Sequence, residues 1–206
     1  LQASRGFPEL RFIDFGGGFG IPHRPEQTPL DLPELGRQMQ ERFSSFCSEY
    51  GRPLTMKLEP GRFIVGPAGI LLVTATNFTD TPDYRFVGVD SGFNHLVRPT
   101  MYGAYHHILN ASRSTGPEQE VVIAGNICES GDIFSRSEEG MTRKIPEIQV
   151  GDCLALCDAG AYGMSMSSQY NTRPRPAEVL VENGQARLIR HRETYEDVIA
   201  PFNTEP

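Results

Sequence analysis

Five short stretches of the sequence bring together residue types that can bind charged groups or transfer protons. They contain glycine runs, carboxylates, guanidinium groups, phenols and one thiol, at residues 16–20 (GGGFG), 59–62 (EPGR), 98–102 (RPTMY), 128–132 (CESGD) and 160–173 (GAYGMSMSSQYNTR). Such groups suit a small ligand that has both an anionic group and a basic nitrogen. The carboxylates and the thiol are the candidates for acid and base chemistry.

The glycine run GGGFG follows an apolar stretch and predicts a phosphate-binding turn. Glycines allow several backbone N–H groups to converge on an anion because no Cβ atom is in the way. In β/α barrels, the ends of the strands often hold phosphate in this manner. The alternative is a tight turn without a ligand. Two other motifs are excluded: Ile21 or His23 stands where the last glycine of GxGxxG should be, and Asp14-Phe15-Gly16 has no accompanying kinase HRD loop.

Two of the stretches combine opposite charges or an arginine with a phenol. Glu59 and Arg62 lie at the end of the next predicted strand, where they can contact a ligand or form an internal ion pair at a turn. Arg98 can hold a carboxylate through two parallel hydrogen bonds, and Tyr102 can add a hydroxyl group. The alternative for Arg98 is a solvated side chain in a loop.

The two later stretches read as loops. Cys128 beside Glu129 can form an acid/base pair, or Cys128 can be a small buried thiol, which is the commoner state of cysteine. Residues 160–181 are rich in Gly, Ser, Tyr and Arg, poor in core residues, and lead directly into a strand. Loops of this composition usually bind a ligand or lie at an interface.

The elements that position the first two stretches are predicted to form a βαβ unit. Strands are expected at 10–15 and 54–59, with a helix over 32–50 between them. Asp31 and Glu34 suggest a capping box at the start of the helix. Apolar residues then recur at steps of three and four, which places them on one face of the helix: Leu32, Leu35, Met39, Phe43, Phe46 and Tyr50.

The pattern changes after about residue 68, where strand-like runs alternate with loops. They lie at 69–78, 84–90, 120–128, 152–158 and 177–190, and residues 193–202 suggest a short terminal helix. Asn183-Gly184 predicts a hairpin within the last run. The fold class is therefore α/β plus β. Residues 1–68 are expected to be part of a (β/α)8 TIM-type barrel, and residues 69–206 an antiparallel β-sandwich or barrel domain.

The composition of the chain argues against some classes of binding partner. The chain has 206 residues, a formal net charge of −7 and 38% hydrophobic residues. Net acidity argues against nucleic acid or an anionic membrane as the main partner. No apolar run approaches the ~18 residues of a membrane span, and the N-terminus has no signal-peptide pattern. The four cysteines form no metal-binding pattern, so we expect reduced thiols, no metal site and a cytoplasmic protein.

Taken in order, these motifs resemble those of the diaminopimelate decarboxylases. These are pyridoxal 5'-phosphate enzymes with an alanine-racemase-like fold, related to the ornithine and arginine decarboxylases. GGGFG and EPGR resemble motifs that the wider family shares. CESGD and YNxRPRPAEVLV resemble motifs of the diaminopimelate branch. The resemblance covers residues 10–197. It implies decarboxylation of meso-2,6-diaminopimelate to L-lysine and CO2.

The resemblance implies a cofactor site built from glycines, a carboxylate, a guanidinium group and a phenol: Gly17, Gly18, Glu59, Gly61, Arg62 and Tyr162. Gly17 and Gly18 match the turn that receives the phosphate. Glu59 matches the residue that pairs with the pyridine nitrogen. A carboxylate there favours the protonated ring, which is the better electron sink.

The implied substrate-binding residues overlap with this set: Arg62, Arg98, Tyr102, Glu129 and Tyr162. Arg98 and Tyr102 match residues that hold a substrate carboxylate, and Glu129 matches the one that recognises the distal ammonium group. Cys128 matches the proposed proton donor to Cα. In this family Cys128 and Glu129 reach into the partner's site, so we expect a homodimer with shared active sites.

The lysine that carries the cofactor in this family lies upstream of the glycine turn. The only lysines here, Lys57 and Lys144, do not match it. We therefore expect the C-terminal half of a decarboxylase, inactive alone, with the N-terminal half on the same or a separate chain. Two other possibilities remain open. One is a related decarboxylase acting on a basic amino acid, a carrier-linked amino acid or carboxynorspermidine. The other is a non-catalytic paralogue that regulates active relatives.

Overall fold

The structure, a computed structural model, describes residues 1–202 and divides into two compact units. The first unit is Leu1–Gly66, and the second begins at Pro67. The helices are α1 Leu32–Tyr50, α2 Gly61–Val65, α3 Arg98–Tyr102 and α4 Tyr195–Ile199. The strands are β1 Phe12–Asp14, β2 Thr55–Lys57, β3 Leu71–Asp80, β4 Arg85–Val89, β5 Ile108–Asn110, β6 Glu118–Ala124, β7 Arg143–Pro146, β8 Cys153–Leu156, β9 Glu178–Glu182 and β10 Gln185–Arg190.

The first unit contains the predicted βαβ arrangement. Strands β1 and β2 pair in parallel, with Ile13 opposite Met56, and α1 connects them. The helix ends at Gly51, which adopts a φ of 86° that favours glycine. On the predicted apolar face, Phe43 and Phe46 are buried. The 3.6-residue periodicity therefore identified the helix and the centre of its packed face.

The predicted capping box of α1 is only half formed. The Asp31 side chain accepts a hydrogen bond from the backbone N–H of Glu34 at 3.0 Å. The Glu34 carboxylate instead accepts hydrogen bonds from Arg37 at 2.7 Å and Gln38 at 2.6 Å. Side chains three and four residues apart face each other on a helix, so these partners compete for the carboxylate.

The second unit is built on a six-stranded sheet in the order β5-β8-β3-β4-β6-β7. The sheet is nearly closed and barrel-like because its edge strands, β5 and β7, contact each other. The side-chain amide of Asn110, in β5, donates a hydrogen bond to the carbonyl of Glu147, just beyond β7, at 3.1 Å. The core inside the sheet includes Val73, Val87, Leu96, Ile123, Phe134, Ile145, Leu154 and Leu156.

The prediction of a purely antiparallel second domain is wrong in one place. Strands β4 and β6 pair in parallel, with Val87 opposite Ile123, while the other neighbours in the six-stranded sheet are antiparallel. A long connection, residues 90–117, joins the two strands and allows the chain to return in the same direction. Alternation within a strand predicts its faces but not the direction of its neighbour.

The predicted hairpin forms a separate two-stranded sheet of β9 and β10. Asn183 and Gly184 have φ values of 51° and 74°, as a two-residue hairpin turn requires. Helix α4 follows, with a complete capping box between Thr194 and Asp197. The terminal helix is shorter than expected, because residues 200–202 form a 3-10 turn.

Candidate active site

The glycine turn and the EPGR turn of the first unit are packed together through their backbones. The N–H of Glu59 donates to the carbonyl of Gly16 at 2.8 Å. A Cβ atom on Gly17 would lie 2.6 Å from the carbonyl oxygen of Glu59, closer than real Cβ contacts allow. Gly16 and Gly18 have φ values of 67° and 87°. The turn therefore needs glycine for both close approach and conformation.

The same turn exposes a row of backbone donors. Among residues 1–202, the N–H groups of Gly17, Gly18, Phe19 and Gly20 donate no hydrogen bond to another part of the chain. They border a cavity of about 350 Å³ whose remaining walls are apolar: Phe15, Leu30, Leu35, Met39 and Leu58. Successive amide donors at such a turn suit an anion, and the apolar walls suit the body of a small ligand.

The charged residues of EPGR lie immediately beyond β2. Glu59 is exposed, and Arg62 is half-buried in the first turn of α2. The carbonyl of Glu59 accepts a hydrogen bond from the N–H of Gly61 at 2.8 Å, which makes the turn tight. Lys57, at the end of β2, places its Nζ atom 3.7 Å from the ring centroid of Phe12. Lys57 thus contacts an aromatic ring of the neighbouring strand.

In the second unit, Arg98 lies beside two tyrosines from different parts of the chain. Its side chain is buried, with 8% of the residue exposed. The Cζ atom lies 5.5 Å from the ring centroid of Tyr102 and 5.4 Å from that of Tyr162. The alternative of a solvated loop arginine is therefore wrong. Tyr162 has a φ of 60°, an uncommon conformation for a bulky residue that is often associated with functional sites.

The loop that carries Cys128 and Glu129 is tied to the helix that begins at Arg98. Cys128 and Glu129 are both exposed, so the alternative of a buried thiol is wrong. The Thr100 hydroxyl of α3 donates to the carbonyl of Gly131 at 2.7 Å. The structure thus gathers the predicted residues of the second unit into neighbouring segments.

Sequence reasoning missed Asp132, the last residue of CESGD. Only 3% of Asp132 is exposed. Its carboxylate accepts hydrogen bonds from the N–H groups of Phe93 at 2.7 Å and Ile127 at 2.8 Å. Burial raises the pKa of Asp132, and the two backbone hydrogen bonds oppose that effect. The only signal in the sequence was a second acidic residue, after Glu129, in the same five-residue motif.

Asn94 was also missed, and nothing in the local sequence marks it. Its side-chain amide donates to the carbonyl of Ser168 at 3.1 Å, and the N–H of Ser168 donates to the carbonyl of Asn94 at 2.8 Å. This double contact joins the segment before Arg98 to the loop that follows Tyr162. Asn94 itself is 1% exposed.

Two other classes of site receive no support from residues 1–202. These residues contain no group of three or more His, Cys, Asp or Glu side chains that could hold a metal ion. None of their helices is both long and apolar enough to cross a membrane.

Comparison with known proteins identifies the family. The family model for the pyridoxal-dependent decarboxylase C-terminal sheet domain matches residues 39–160. The chain belongs to the pyridoxal-dependent decarboxylases. The model for the pyridoxal binding domain of these decarboxylases also matches, over residues 2–66, which include the glycine turn and EPGR.

Several diaminopimelate decarboxylases are similar to this chain. The enzyme of Methanothermobacter thermautotrophicus is 53% identical over 198 residues, which cover 95% of this chain and 45% of the relative. A crystal structure of a diaminopimelate decarboxylase is 42% identical with a TM-score of 0.86, covering 94% of this chain and 48% of that one. The M. jannaschii enzyme in complex with L-lysine is 38% identical with a TM-score of 0.86, over 96% and 44% of the two chains. The chain spans about half the length of these relatives.

Proposed function

We propose that this chain forms the C-terminal half of a diaminopimelate decarboxylase, which converts meso-2,6-diaminopimelate to L-lysine and CO2. The observation that carries the proposal is the glycine turn, which packs against Glu59 and presents four consecutive amide donors beside an apolar cavity. The names of the similar relatives support the substrate. The complete enzyme is taken below as this chain together with the other half of the relatives' length.

The residues of the first unit fit pyridoxal 5'-phosphate. Gly17 and Gly18 would hold the phosphate through backbone N–H groups. Residue 17 must be glycine because a Cβ atom there would collide with the carbonyl oxygen of Glu59. Arg62 and Gly61 would flank the cofactor, and Glu59 would pair with the ring nitrogen. When bound, the cofactor supplies an electron sink for the carbon that loses CO2. In this proposal residues 1–68 are the end of a TIM-type cofactor-binding barrel, and residues 69–206 are the β domain.

The substrate would be held by its charged ends. Arg98 would bind a carboxylate through its guanidinium group, which the rings of Tyr102 and Tyr162 hold in place. Glu129, exposed at the tip of its loop, would bind the distal ammonium group. Arg62 and Tyr162 would contact both the cofactor and the substrate. A binding site with a cation at one end and an anion at the other suits an amino acid whose side chain is itself zwitterionic.

Cys128 would return a proton to Cα after CO2 has left. Its exposure at a loop tip suits a group that must reach a site outside its own loop. We propose that it reaches the partner's site in a homodimer, together with Glu129. The four thiols of the chain are free, which suits a cytoplasmic enzyme.

Substrate choice is tested by turnover. The complete enzyme should release CO2 from meso-diaminopimelate and form L-lysine, with a kcat/KM at least about 100-fold above that for arginine or ornithine. Faster turnover of arginine or ornithine would replace diaminopimelate with another substrate of the same family. Absence of turnover with all three, despite bound cofactor, would favour a regulatory paralogue. Size-exclusion chromatography with light scattering tests the homodimer.

Cofactor attachment is tested by borohydride reduction. The purified assembly is incubated with pyridoxal 5'-phosphate and reduced, and the masses of intact chains and peptides are determined. We expect a phosphopyridoxyl group on a lysine outside this sequence. A group on Lys57 or Lys144 would contradict the proposed arrangement of the site.

A further inference from the structure

Asp132 is a buried residue at the end of the loop that carries the exposed residues Cys128 and Glu129. It is 3% exposed, whereas the two tip residues are exposed. A carboxylate is rarely buried in this way unless polar partners compensate for its desolvation. Its partners therefore indicate what it stabilises.

Those partners are backbone amides from two separate segments of the second unit. One carboxylate oxygen accepts from the N–H of Ile127, directly before Cys128, at 2.8 Å. The other accepts from the N–H of Phe93, on the segment that leads to Arg98, at 2.7 Å. The carboxylate thus bridges the strand end before Arg98 and the loop of Cys128.

The surrounding backbone is fitted to this carboxylate. The N–H of Gly125 donates to the carbonyl of Asp132 at 2.9 Å. A Cβ atom on Gly125 would lie 2.2 Å from one carboxylate oxygen and 2.3 Å from the other. The glycine before the loop is therefore required by the side chain at the loop's end.

The tip of the loop has weaker support of its own. The Glu129 carboxylate accepts hydrogen bonds from the N–H of Gly131 at 3.2 Å and the hydroxyl of Ser130 at 3.4 Å, and the Glu129 carbonyl accepts one from the N–H of Asp132 at 3.0 Å. These contacts shape the tip without fixing it to the rest of the unit. The Thr100 hydroxyl supplies one link to the carbonyl of Gly131.

From this geometry we infer that Asp132 is a positioning residue for the decarboxylase reaction. Its carboxylate fixes Cys128 and Glu129 relative to the segment of Arg98, and it does not itself contact the substrate. The inference rests on the proposed roles of Cys128 and Glu129.

The test compares two buried aspartates in the complete enzyme. Asp132→Asn keeps the volume but replaces one acceptor with an NH2 group that faces a backbone N–H. Asp152→Asn is the control. Asp152 is 5% exposed and accepts from the N–H of Gln149 at 2.8 Å, the amide of Asn110 at 3.1 Å and the guanidinium of Arg113 at 3.0 Å. Asp152 is bonded to the ends of the barrel-like sheet rather than to the Cys128 loop.

We expect Asp132→Asn to lower kcat by about 10- to 100-fold, as small displacements of reacting groups do. The affinity for pyridoxal 5'-phosphate should stay within about twofold, because that cofactor is held in the proposal mainly by the first unit. The rate of alkylation of Cys128 by iodoacetamide, followed against pH, should also change. Asp152→Asn should lower the melting temperature while kcat and the alkylation profile of Cys128 stay unchanged.

Equal losses of kcat in the two variants, or a lower melting temperature alone in Asp132→Asn, would overturn the inference. Gly125→Ala provides a second variant should Asp132→Asn fail to fold. The new Cβ atom would displace the Asp132 carboxylate without removing it. Unchanged kcat and unchanged alkylation of Cys128 in Gly125→Ala would also overturn the inference. Cys128→Ala separates the proton-donor role of Cys128 from the positioning role of Asp132. Full activity in Cys128→Ala would refute the proton-donor role. The positioning role is still tested then, because alkylation of Cys128 is compared between the wild type and Asp132→Asn and does not depend on turnover.

Discussion

The two units hold their candidate site residues in different ways. In the first unit, the glycine turn and EPGR meet through backbone atoms, and the candidate carboxylate, Glu59, is exposed. In the second unit, buried polar side chains bridge separate segments, with Asp132 bonded to Phe93 and Ile127. The candidate site residues there either pack against rings, as Arg98 does, or lie exposed in a loop, as Cys128 and Glu129 do.

This difference predicts which substitutions each half tolerates. A turn defined by its backbone should be sensitive to a Cβ atom added where two backbone segments approach closely, as at Gly17. It should be indifferent to conservative changes of its exposed side chains, except where those contact the cofactor. A set of loops joined by side chains should respond to the loss of single hydrogen-bond acceptors. Four substitutions test the contrast, in order of decreasing expected effect.

Glu59→Gln should give the largest effect, although Glu59 is exposed and its removal disturbs no core. We expect kcat to fall by about 100-fold while the affinity for pyridoxal 5'-phosphate falls by less than about fivefold, because a neutral amide no longer favours protonation of the ring nitrogen. Steady-state kinetics and cofactor titration of the complete enzyme measure both. Glu41→Gln, an exposed substitution on α1, is the control. Equal losses of kcat and cofactor affinity would mean that Glu59 only binds the cofactor.

Arg98→Lys tests the second unit through its central cation. Lysine keeps the charge but loses the planar group that binds a carboxylate at two points and packs against rings. We expect KM for diaminopimelate to rise by about 10- to 50-fold, equivalent to about 1.4 to 2.3 kcal/mol. Arg85→Lys is the matched control, because the Cζ atom of Arg85 also lies over a ring, 4.9 Å from the centroid of Phe78. Unlike Arg98, Arg85 is exposed at the surface of the sheet, where it forms an ion pair with Asp80.

An unchanged KM in Arg98→Lys would show that Arg98 does not bind the substrate carboxylate. Its contacts with Tyr102 and Tyr162 would then stabilise the fold only. A similar rise of KM in Arg85→Lys would show that the effect reflects loss of packing rather than loss of carboxylate binding.

Gly17→Ala tests the first unit through its backbone. The new Cβ would stand 2.6 Å from the carbonyl oxygen of Glu59, and a backbone oxygen cannot rotate away as a side chain can. We expect the free energy of unfolding to fall by about 1 to 3 kcal/mol and cofactor affinity to fall by about 10-fold. Gly20→Ala should have little effect on stability, since its Cβ would meet no atom within 4 Å. Indistinguishable variants would contradict the contrast between the two units.

The glycine turn and helix α1 could be predicted from the sequence for physical reasons. The close backbone approach at Gly17 and the positive φ values of Gly16 and Gly18 all favour glycine, so the turn appears in the sequence as a run of glycines. The buried face of α1 left its apolar periodicity, and the turn at Asn183-Gly184 left two residues that tolerate positive φ. In each case the constraint falls on residue types at adjacent or regularly spaced positions.

The bridges of the second unit leave no such trace. The acceptors of Asp132 and the amide of Asn94 bond to backbone groups, which every residue type provides. Phe93 is 39 residues from Asp132, and Ser168 is 74 residues from Asn94. The parallel pairing of β4 and β6 is hidden for the same reason, because it depends on where a long connection returns and not on the residues within either strand.

Glu193 provides the smallest of the four tests, and it too was not visible in the sequence. Its carboxylate accepts from the Arg175 side chain at 2.7 Å and from the Arg175 N–H at 2.8 Å, so that the chain after β10 is bonded to the loop before β9. The Arg175 guanidinium lowers the pKa of Glu193 from 4.5 to about 2, although burial opposes this. Because the pKa in the folded state lies below that in the unfolded state, the stabilisation is full above about pH 5. It is lost as pH falls towards 2.

Glu193→Gln should therefore lower the free energy of unfolding by about 1 to 2 kcal/mol at pH 7, after allowance for partial solvent screening. The loss should shrink as the pH falls from 5 to 2, because the wild-type carboxylate becomes protonated there. Denaturant titrations at pH 7, 5 and 3 measure this, and Glu34→Gln, on the exposed surface of α1, is the control. A loss that is independent of pH would mean that Glu193 contributes shape rather than charge. The side chains that join the loops of the second unit would then act by packing, and the contrast with the backbone-defined first unit would weaken.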